Sequence, residues 1–259
     1  MINVFQKKLK NKKIFITGGQ GYIGSKLIET LKKYNCNITI VSQNKVKKIN
    51  NIKYLILDLS IKKNWIKIIQ SCDVIFYLSW NNNIAYAEKY PIQSLRHSEI
   101  PIINMIKTSK QLSKITRFIF TSTATIYGSP GINKVNEKTK PNPISQYDKN
   151  KISVENILIK ANNEKIISST ILRLTNVYGP SNNTSKSKDR GKINKIIKFG
   201  LTKKILNLYG NGKYYRDFIF IDDVVEAIIY SFTSKKLLSN IYNIGFGKSY
   251  MMKDFFKIV

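Results

Sequence analysis

Tyr147 and Lys151 lie four residues apart in the run Tyr147-Asp148-Lys149-Asn150-Lys151, downstream of the hydroxyl pair Ser122-Thr123. On a helix that spacing puts both side chains on one face. A phenol ordinarily loses its proton near pH ~10, and a neighbouring ammonium favours the phenolate. The pair could therefore take or return a proton near neutral pH, while Thr123 hydrogen-bonds the reacting oxygen. A Tyr-Lys pair alone is common in a chain with 15 tyrosines and 44 Lys and Arg. Its weight comes from a second motif upstream.

That motif is Thr17-Gly18-Gly19-Gln20-Gly21-Tyr22-Ile23-Gly24, directly after the apolar run Ile14-Phe15-Ile16. Lys13 to Thr17 reads as a buried strand. Tyr22 to Tyr34 reads as an amphipathic helix with Ile23, Leu27, Ile28 and Leu31 on its apolar side. Gly18, Gly21 and Gly24 fall in the turn and the first helical turn. Between a strand and a helix, such glycines let a pyrophosphate approach backbone amides at the helix N-terminus. Ile38 to Val41 reads as the second strand. An acidic residue at its end would hold the adenosine ribose of NAD, but this chain has Ser42, followed by Gln43, Asn44 and Lys45. A hydroxyl and an ammonium suit the 2′-phosphate of NADP, whereas a Ser42 bond to a ribose hydroxyl would suit NAD. The expected cofactor is NADP or NAD, with NADP preferred.

Several further elements would position these groups. Short β-rich runs at Tyr54–Leu57, Val74–Leu78, Phe118–Ser122 and Thr170–Leu174 alternate with helical patterns. That alternation argues for an α/β fold with a parallel sheet covered on both faces. Pro141-Asn142-Pro143 marks a turn before a helix over Tyr147–Ala161, whose apolar side is Ile152, Val154, Ile157, Leu158 and Ala161.

With these blocks in view, the chain resembles the extended short-chain dehydrogenase/reductases. The likeness is to their NAD-dependent epimerase/dehydratase group acting on nucleotide sugars. Besides the two motifs it includes Asp58-Leu59, similar to the family's adenine-contacting pair, and Cys72 to Ser79, similar to its fourth strand. Phe118 to Gly128 (FIFTSTATIYG) is close to the sugar-nucleotide 4-epimerase version. Leu172 to Pro180 (LRLTNVYGP), Tyr209-Gly210-Asn211-Gly212, Arg216-Asp217-Phe218-Ile219 and Asp222-Asp223-Val224 follow in the family's order.

The resemblance implies a Rossmann-type doubly wound parallel sheet with a smaller C-terminal substrate-binding lobe. Residues 1–175 would bind NAD(P) and 176–259 the substrate, with the 222–234 helix returning to the first part. Relatives run further past the point where this chain stops, so the lobe is expected to be truncated. By position the resemblance implies a catalytic trio of Thr123, Tyr147 and Lys151. Gly18, Gly21, Tyr22, Ile23, Gly24, Ser42, Asp58, Leu59, Leu78 and Ser79 would bind the cofactor together with Tyr147 and Lys151. Asn176 and Arg216 would grip the substrate's pyrophosphate, together with Thr123 at the sugar. A guanidinium suits phosphate oxygens. The alternative is that Arg216 pairs with Asp217 or Asp222 to brace a loop. A homodimer through the Pro91–Leu112 and Tyr147–Ala161 helices is implied.

The chain departs from the family at two points. Ser98-Glu99-Ile100-Pro101 stands where an asparagine is common, and Leu78-Ser79-Trp80 replaces Leu-Ala-Ala. A 4,6-dehydratase would carry Asp-Glu after Thr123, where this chain has Ala124-Thr125. The expected activity is therefore nucleotide-sugar epimerisation at C4. A 4-keto reductase and a non-catalytic dinucleotide-binding paralogue are the alternatives.

Composition narrows the rest. A chain of 259 residues, 42% hydrophobic, can bury a full core. It has no apolar run long enough to span a bilayer, and Met1 to Lys13 lacks a signal-like apolar region. A cytoplasmic protein is expected, with Cys36 and Cys72 as buried thiols. His97 is the sole histidine and no metal cluster is expected. The net charge of +29 raises nucleic acid as a partner. The cations are mostly lysines scattered along the chain, only Arg96, Arg117, Arg173, Arg190 and Arg216 being arginines, so no specific nucleic-acid partner is expected. A denser stretch, Lys186, Lys188, Arg190, Lys192, Lys195 and Lys198, could draw in a dianionic sugar nucleotide or simply be a solvated face. It follows a polar segment, Pro180 to Lys188, that separates the two parts.

Overall fold

The computed structural model describes residues 2–45, 49–129, 134–180, 192–202, 209–234, 237 and 240–255. Lys186, Lys188 and Arg190 of the basic stretch lie outside them, as does most of the 180–188 segment. The elements run α1 (Ile2–Leu9), β1 (Lys13–Thr17), α2 (Tyr22–Leu31), β2 (Asn37–Ser42), β3 (Lys53–Ile56), α3 (Lys63–Ser71), β4 (Val74–Tyr77), α4 (Ile84–Lys89) and α5 (Pro91–Gln111). They continue as β5 (Thr116–Thr123), α6 (Gln146–Asn163), β6 (Ile167–Leu174), β7 (Asn176–Tyr178), α7 (Lys192–Leu201), β8 (Tyr215–Phe220), α8 (Ile221–Thr233), β9 (Ile241–Ile244), β10 (Ser249–Met251) and α9 (Met252–Phe255).

Seven strands form one parallel sheet in the order β3-β2-β1-β4-β5-β6-β9. Its strands are β-branched and aromatic runs buried on both faces, as parallel sheets require. Alternate residues serve opposite layers. Ile14, Ile16, Ile40, Phe76 and Ile119 pack with α1, α2 and α8, whereas Phe15, Val41, Ile75, Phe118 and Phe120 pack with α3, α5 and α6. The fold is thus a Rossmann-type doubly wound α/β sheet. Its strand order reverses between β1 and β4, and in such sheets ligands bind at the carboxyl ends flanking that point.

Among the elements absent from the sequence reading, α1, β9 and β10 matter most for the architecture. Residues 2–9 form α1, which seats Phe5 and Leu9 in the core, while Lys8 Nζ donates to the Thr233 carbonyl at the end of α8 (2.7 Å). A cation there complements the helix dipole. β9 lies far beyond residue 176, yet it is the seventh strand of the large sheet. Ser249–Met251 form β10, which pairs antiparallel with β8. With β7 beside β8, these strands make a small second sheet, against which α7 and α9 pack Ile193, Ile196 and Met252.

α6 is fixed to the sheet by a buried ion pair. Arg173 on β6 reaches Glu155 on α6 through Nη2 (2.6 Å) and Nε (3.2 Å), and its Nη1 donates to Tyr127 Oη (2.7 Å). The two side chains are only 4% and 1% exposed. Removing one partner strands a charge in the core. Glu155→Ala is expected to cost ~3–5 kcal/mol, read as a lower urea midpoint. A loss under ~1 kcal/mol, the scale of a surface pair, would show that the pair does not brace α6.

Candidate functional site

α6 begins at a capping box. Ser145 Oγ accepts from the Asp148 amide (3.1 Å), and the Asp148 side chain accepts from the Ser145 amide (3.4 Å). This start places Tyr147 in the first turn, where the dipole favours an anion, and Lys151 one turn later. β5 ends at Thr123 beside them, and a short 3-10 turn (Ala124–Tyr127) follows, its start capped by the Thr123 hydroxyl. Thr123, Tyr147 and Lys151 are thus carried by the adjoining ends of β5 and α6.

Lys151 is buried. Its Nζ donates to the Thr121 carbonyl (2.7 Å) and sits 3.7 Å from the Trp80 ring centroid and 4.6 Å from that of Phe120. Burial holds its pKa well below the ordinary lysine value, and Glu155 one turn on offsets part of that. The indole of Trp80 also meets the Tyr147 ring edge-on at 6.3 Å. Burial pushes the Tyr147 phenol up, and the Asp148 carboxylate pushes the same way. The sequence reading expected the lysine to lower it. In the unliganded chain desolvation wins, because the ammonium is turned to the Thr121 carbonyl and the Trp80 face. The Thr123 hydroxyl meets Thr125 Oγ1 at 2.9 Å, and Thr125 in turn donates to Asp148. Trp80 and Thr125 entered the sequence reading only as departures from the family's pattern, and Asp148 only as part of the Tyr-Lys run. Their roles come from β4 and β5 lying side by side with α6 across their ends.

The glycine turn lies at the carboxyl end of β1. Gly18 has φ +68°, and a Cβ there would stand 2.8 Å from the backbone of Leu78 and Ser79. A Cβ on Gly24 would stand 2.2 Å from the Gly18 carbonyl oxygen, so the turn folds tightly over the start of α2. Thr17 Oγ1 accepts from the Leu78 and Ser79 amides (3.1 Å each) and the Ser79 hydroxyl (2.9 Å). α2 starts at Gly21 without a side-chain cap, and the position of a Gly21 Cβ meets only the Gly18 carbonyl oxygen, at 3.0 Å. A helix N-terminus with no side-chain cap and little beside it fits a pyrophosphate. Ile23 follows in the first turn of α2, half-buried against the core. Tyr22, by contrast, sends its hydroxyl to the Gly179 carbonyl (2.7 Å) and receives Asn194 Nδ2 (3.2 Å).

The corner formed by the end of β2 and Asp58 is also organised. Ser42 closes β2 and donates to the Asn44 carbonyl (2.9 Å). Asp58 accepts from the Ser60 amide (2.8 Å) and Gln43 Nε2 (3.3 Å), and the Ser60 hydroxyl first, then its amide, and more weakly Gln43, hold its carboxyl below the ordinary value. The Leu59 carbonyl is fixed by the Trp65 indole N–H (2.9 Å). Ser98, in the slot where an asparagine is common, bonds the Ser94 carbonyl of its own helix (2.9 Å). An asparagine reaches α5 from the other side instead: buried Asn150 on α6 donates to Ser94 Oγ (2.8 Å).

Asn176 and Arg216 lie on neighbouring strands of the small sheet. Asn176 is in register with Phe218, which places Arg216 two residues along on the same face. Asn176 Nδ2 donates to the Asp217 carbonyl (3.0 Å), and Arg216 lies over the Tyr214 ring. Among the described residues Arg216 pairs with neither suggested carboxylate. Asp217 accepts from the Phe246 and Gly247 amides (2.9 and 2.7 Å), and Asp222 pairs with Lys26 (3.3 Å). A separate cleft of about 560 Å³ opens beside Tyr178, Pro180, Ile197 and Leu201, and none of its lining belongs to the Thr123 group.

Comparison with known proteins covers nearly the whole chain. Residues 14–245 match the family model described as the NAD dependent epimerase/dehydratase family. An uncharacterised UDP-glucose epimerase of Bacillus subtilis is 29% identical over 255 residues, covering 90% of this chain and 76% of the relative. A dTDP-D-glucose 4,6-dehydratase of Dictyostelium discoideum is also 29% identical, and the chain spans 58% of its length. The structure of the Thermotoga maritima UDP-glucose 4-epimerase with UDP-glucose superimposes with a TM-score of 0.82 at 26% identity, covering 95% of this chain and 81% of that one.

The buried ammonium of Lys151 has a consequence for stability. Its folded pKa lies below its unfolded value, so the unfolded chain binds more protons between the two, and stability rises with pH there. Below the folded value the penalty is present in full. It disappears above the ordinary lysine value of ~10.4. Lys151→Met is expected to be more resistant to urea than the unchanged chain at neutral pH, with the gap closing as pH rises. A Lys151→Met chain less stable at neutral pH would show that the Thr121 and Trp80 contacts outweigh the desolvation.

Proposed function

The chain belongs to the NAD-dependent epimerase/dehydratase family of the extended short-chain dehydrogenase/reductases, and from that premise we propose that it epimerises a nucleotide sugar at C4 through a transient 4-keto form. The observation that carries this reading is the convergence of Thr123, Tyr147 and buried Lys151 at strand ends next to the glycine turn. When bound, NAD(P) supplies the hydride acceptor and donor and, in its oxidised form, a positive charge. Tyr147 takes the proton of the C4 hydroxyl and later returns it. A positive charge within reach lowers a phenol that burial has raised. Lys151 adds to that effect and holds the ribose side of the cofactor, while Thr123 hydrogen-bonds the reacting oxygen. Ala124 and Thr125, where a dehydratase would carry two carboxylates, favour epimerisation over dehydration.

Gly18, Gly21 and Gly24 with the α2 N-terminus hold the cofactor pyrophosphate in this reading, and the Asp58-Leu59 corner meets the adenine. The substrate part lies within residues 176–259, apart from α8, which packs back on α1 and α2, and β9, which joins the large sheet. Arg216 and Asn176 grip the substrate pyrophosphate, a role supported by their shared face and by the absence of a carboxylate partner for Arg216 among the described residues. α5 and α6 join their counterparts in a homodimer, to which the exposed Tyr90, Ile92 and Ile100 would contribute. Ser42 favours NADP. A cofactor released each turnover would suit the second reading, a 4-keto sugar reductase.

UDP-glucose is the first substrate to test, because the Bacillus and Thermotoga relatives carry it in their names. Tyr147→Phe removes one hydroxyl. It should leave NAD(P) affinity nearly intact and cut UDP-glucose to UDP-galactose conversion by a factor of ~100 or more. Near-normal turnover in that variant would sink the mechanism. Calorimetry should show NADP bound more tightly than NAD, and Ser42→Asp should reverse the order by repelling the 2′-phosphate. Tighter NAD binding by the unchanged chain overturns the cofactor assignment.

A further inference from the structure

Trp80 touches both members of the Tyr-Lys pair. It follows β4, where Ser79 is pinned to Thr17 Oγ1 by its amide (3.1 Å) and hydroxyl (2.9 Å). From there its ring meets Phe120 at 5.7 Å and Tyr147 edge-on at 6.3 Å, and its face lies 3.7 Å from Lys151 Nζ. An ammonium has three N–H groups to place. That of Lys151 gives one to the Thr121 carbonyl (2.7 Å). Glu155, one turn on, is taken by Arg173, and Lys151 forms no ion pair among the described residues. The remaining partners are the ring faces of Trp80 and, at 4.6 Å, Phe120. An aromatic face attracts a cation, most strongly for tryptophan and where water is excluded. Lys151 is only 3% exposed.

We propose that Trp80 is a positioning residue for Lys151, its ring face the second partner that seats the ammonium as a cation one turn from Tyr147. This rests on the reading of Tyr147 as the base and Lys151 as its cationic neighbour. Burial favours the neutral amine, which has no charge to offer Tyr147. The indole face opposes that loss without adding a counter-ion. A carboxylate in its place would also hold the ammonium, but it would push the Tyr147 phenol up, as Asp148 already does. A ring has no net charge, so the field of the ammonium reaches Tyr147 uncancelled. The titratable groups packed around this pair are Tyr147, Asp148 and Glu155 on α6, Arg173 on β6, Tyr77 on β4 and His97 on α5. Glu155 favours the ammonium, burial pushes Tyr77 up to about 12, and His97 shares a small hollow with Trp80.

The chain has two tryptophans, Trp65 and Trp80, so global replacement by fluorinated tryptophan alters the ring beside Lys151 at nearly unchanged shape. Each fluorine on the benzo ring drains its face and weakens the attraction for a cation. The fluorines also report by NMR. The Trp80 resonance, assigned by its loss in Trp80→Phe, should show a step with pH that disappears in Lys151→Met and survives in His97→Gln. The Trp65 resonance, from a fully buried ring, checks that each chain is folded. A weaker face favours the neutral amine. Passing from mono- to di- to trifluorotryptophan should therefore carry the midpoint of the step down, by ~1 pH unit or more in all. A midpoint that stays in place or moves up overturns the proposal. So does a Trp80 resonance with no step that depends on Lys151.

Activity supplies the second readout. Where UDP-glucose is turned over, the alkaline limb of the rate, at which Lys151 gives up its proton, should move down together with the step. A limb that stays fixed while the step moves overturns the positioning role. If UDP-glucose is not turned over, it is the functional reading that fails, and the fluorine titration alone decides whether Trp80 holds the cation.

Discussion

The carboxyl ends of β1 and β4 meet at a contact that leaves no room for a side chain. Gly18 turns there with positive φ, its α-carbon against the Leu78 and Ser79 backbone, and Thr17 Oγ1 gathers three hydrogen bonds from those two residues. Because β1 and β4 are the strands between which the sheet reverses direction, this joint sets the floor of the crevice. It starts α2 with its N-terminus facing the crevice. It also fixes where β4 ends, and so places Trp80 against Lys151 and Tyr147. A side chain at Gly18 or Gly24 would move the turn and the wall of the catalytic group together.

The group proposed to be catalytic is not a source of stability. Lys151 is desolvated against Trp80 and Phe120, and Tyr147 keeps its proton more firmly than a free phenol. Such strain persists where the surroundings over-determine it. Here the surroundings are the capping box at Ser145, the Arg173–Glu155 pair and the bond from Asn150 to Ser94. The capping box fixes where the helix starts, the Arg173–Glu155 pair ties it to β6, and the Asn150 bond ties it to α5, which together oppose a rotation that would relieve Lys151. Structural charge and catalytic charge are thus separated along one helix. Glu155 has its own arginine, and Lys151 one turn earlier has none.

Much of this could be read from the sequence where a motif and a periodicity agreed. The strand before Gly18, the helix after it, the central strands and the Tyr147 helix were placed within a few residues, because parallel strands buried on both faces are unmistakable apolar runs. α1 was missed because its two core residues, Phe5 and Leu9, sit among lysines that mask the period. β9 was missed because Ile241 to Ile244 is short and its partner β6 is distant in sequence. At the site, residue types gave Thr123, Tyr147 and Lys151 as candidates. They could not give Trp80, Thr125 or Asp148, which matter only through partners on other elements. The direction of the Tyr147 shift was also beyond the sequence, since it depends on how deeply the ring is buried and where the ammonium points.

One contact joins the two halves of the proposed reaction site without belonging to either. Tyr22, in the first turn of α2, donates to the Gly179 carbonyl, and Asn194 on α7 bonds both the Tyr22 hydroxyl and Gly179. The glycine turn, the strand that carries Asn176 and the helix over the small sheet thereby share one hydrogen-bonded node. Burial raises the Tyr22 phenol, so the node keeps its donor across the ordinary pH range. α7 in turn packs through Ile193 and Ile196 on β7 and β8, the strands that bear Asn176 and Arg216. Tyr22 and Asn194 thus tie the start of α2 to the small sheet by hydrogen bonds, beside the packing of α8 on α2, β7 and β8.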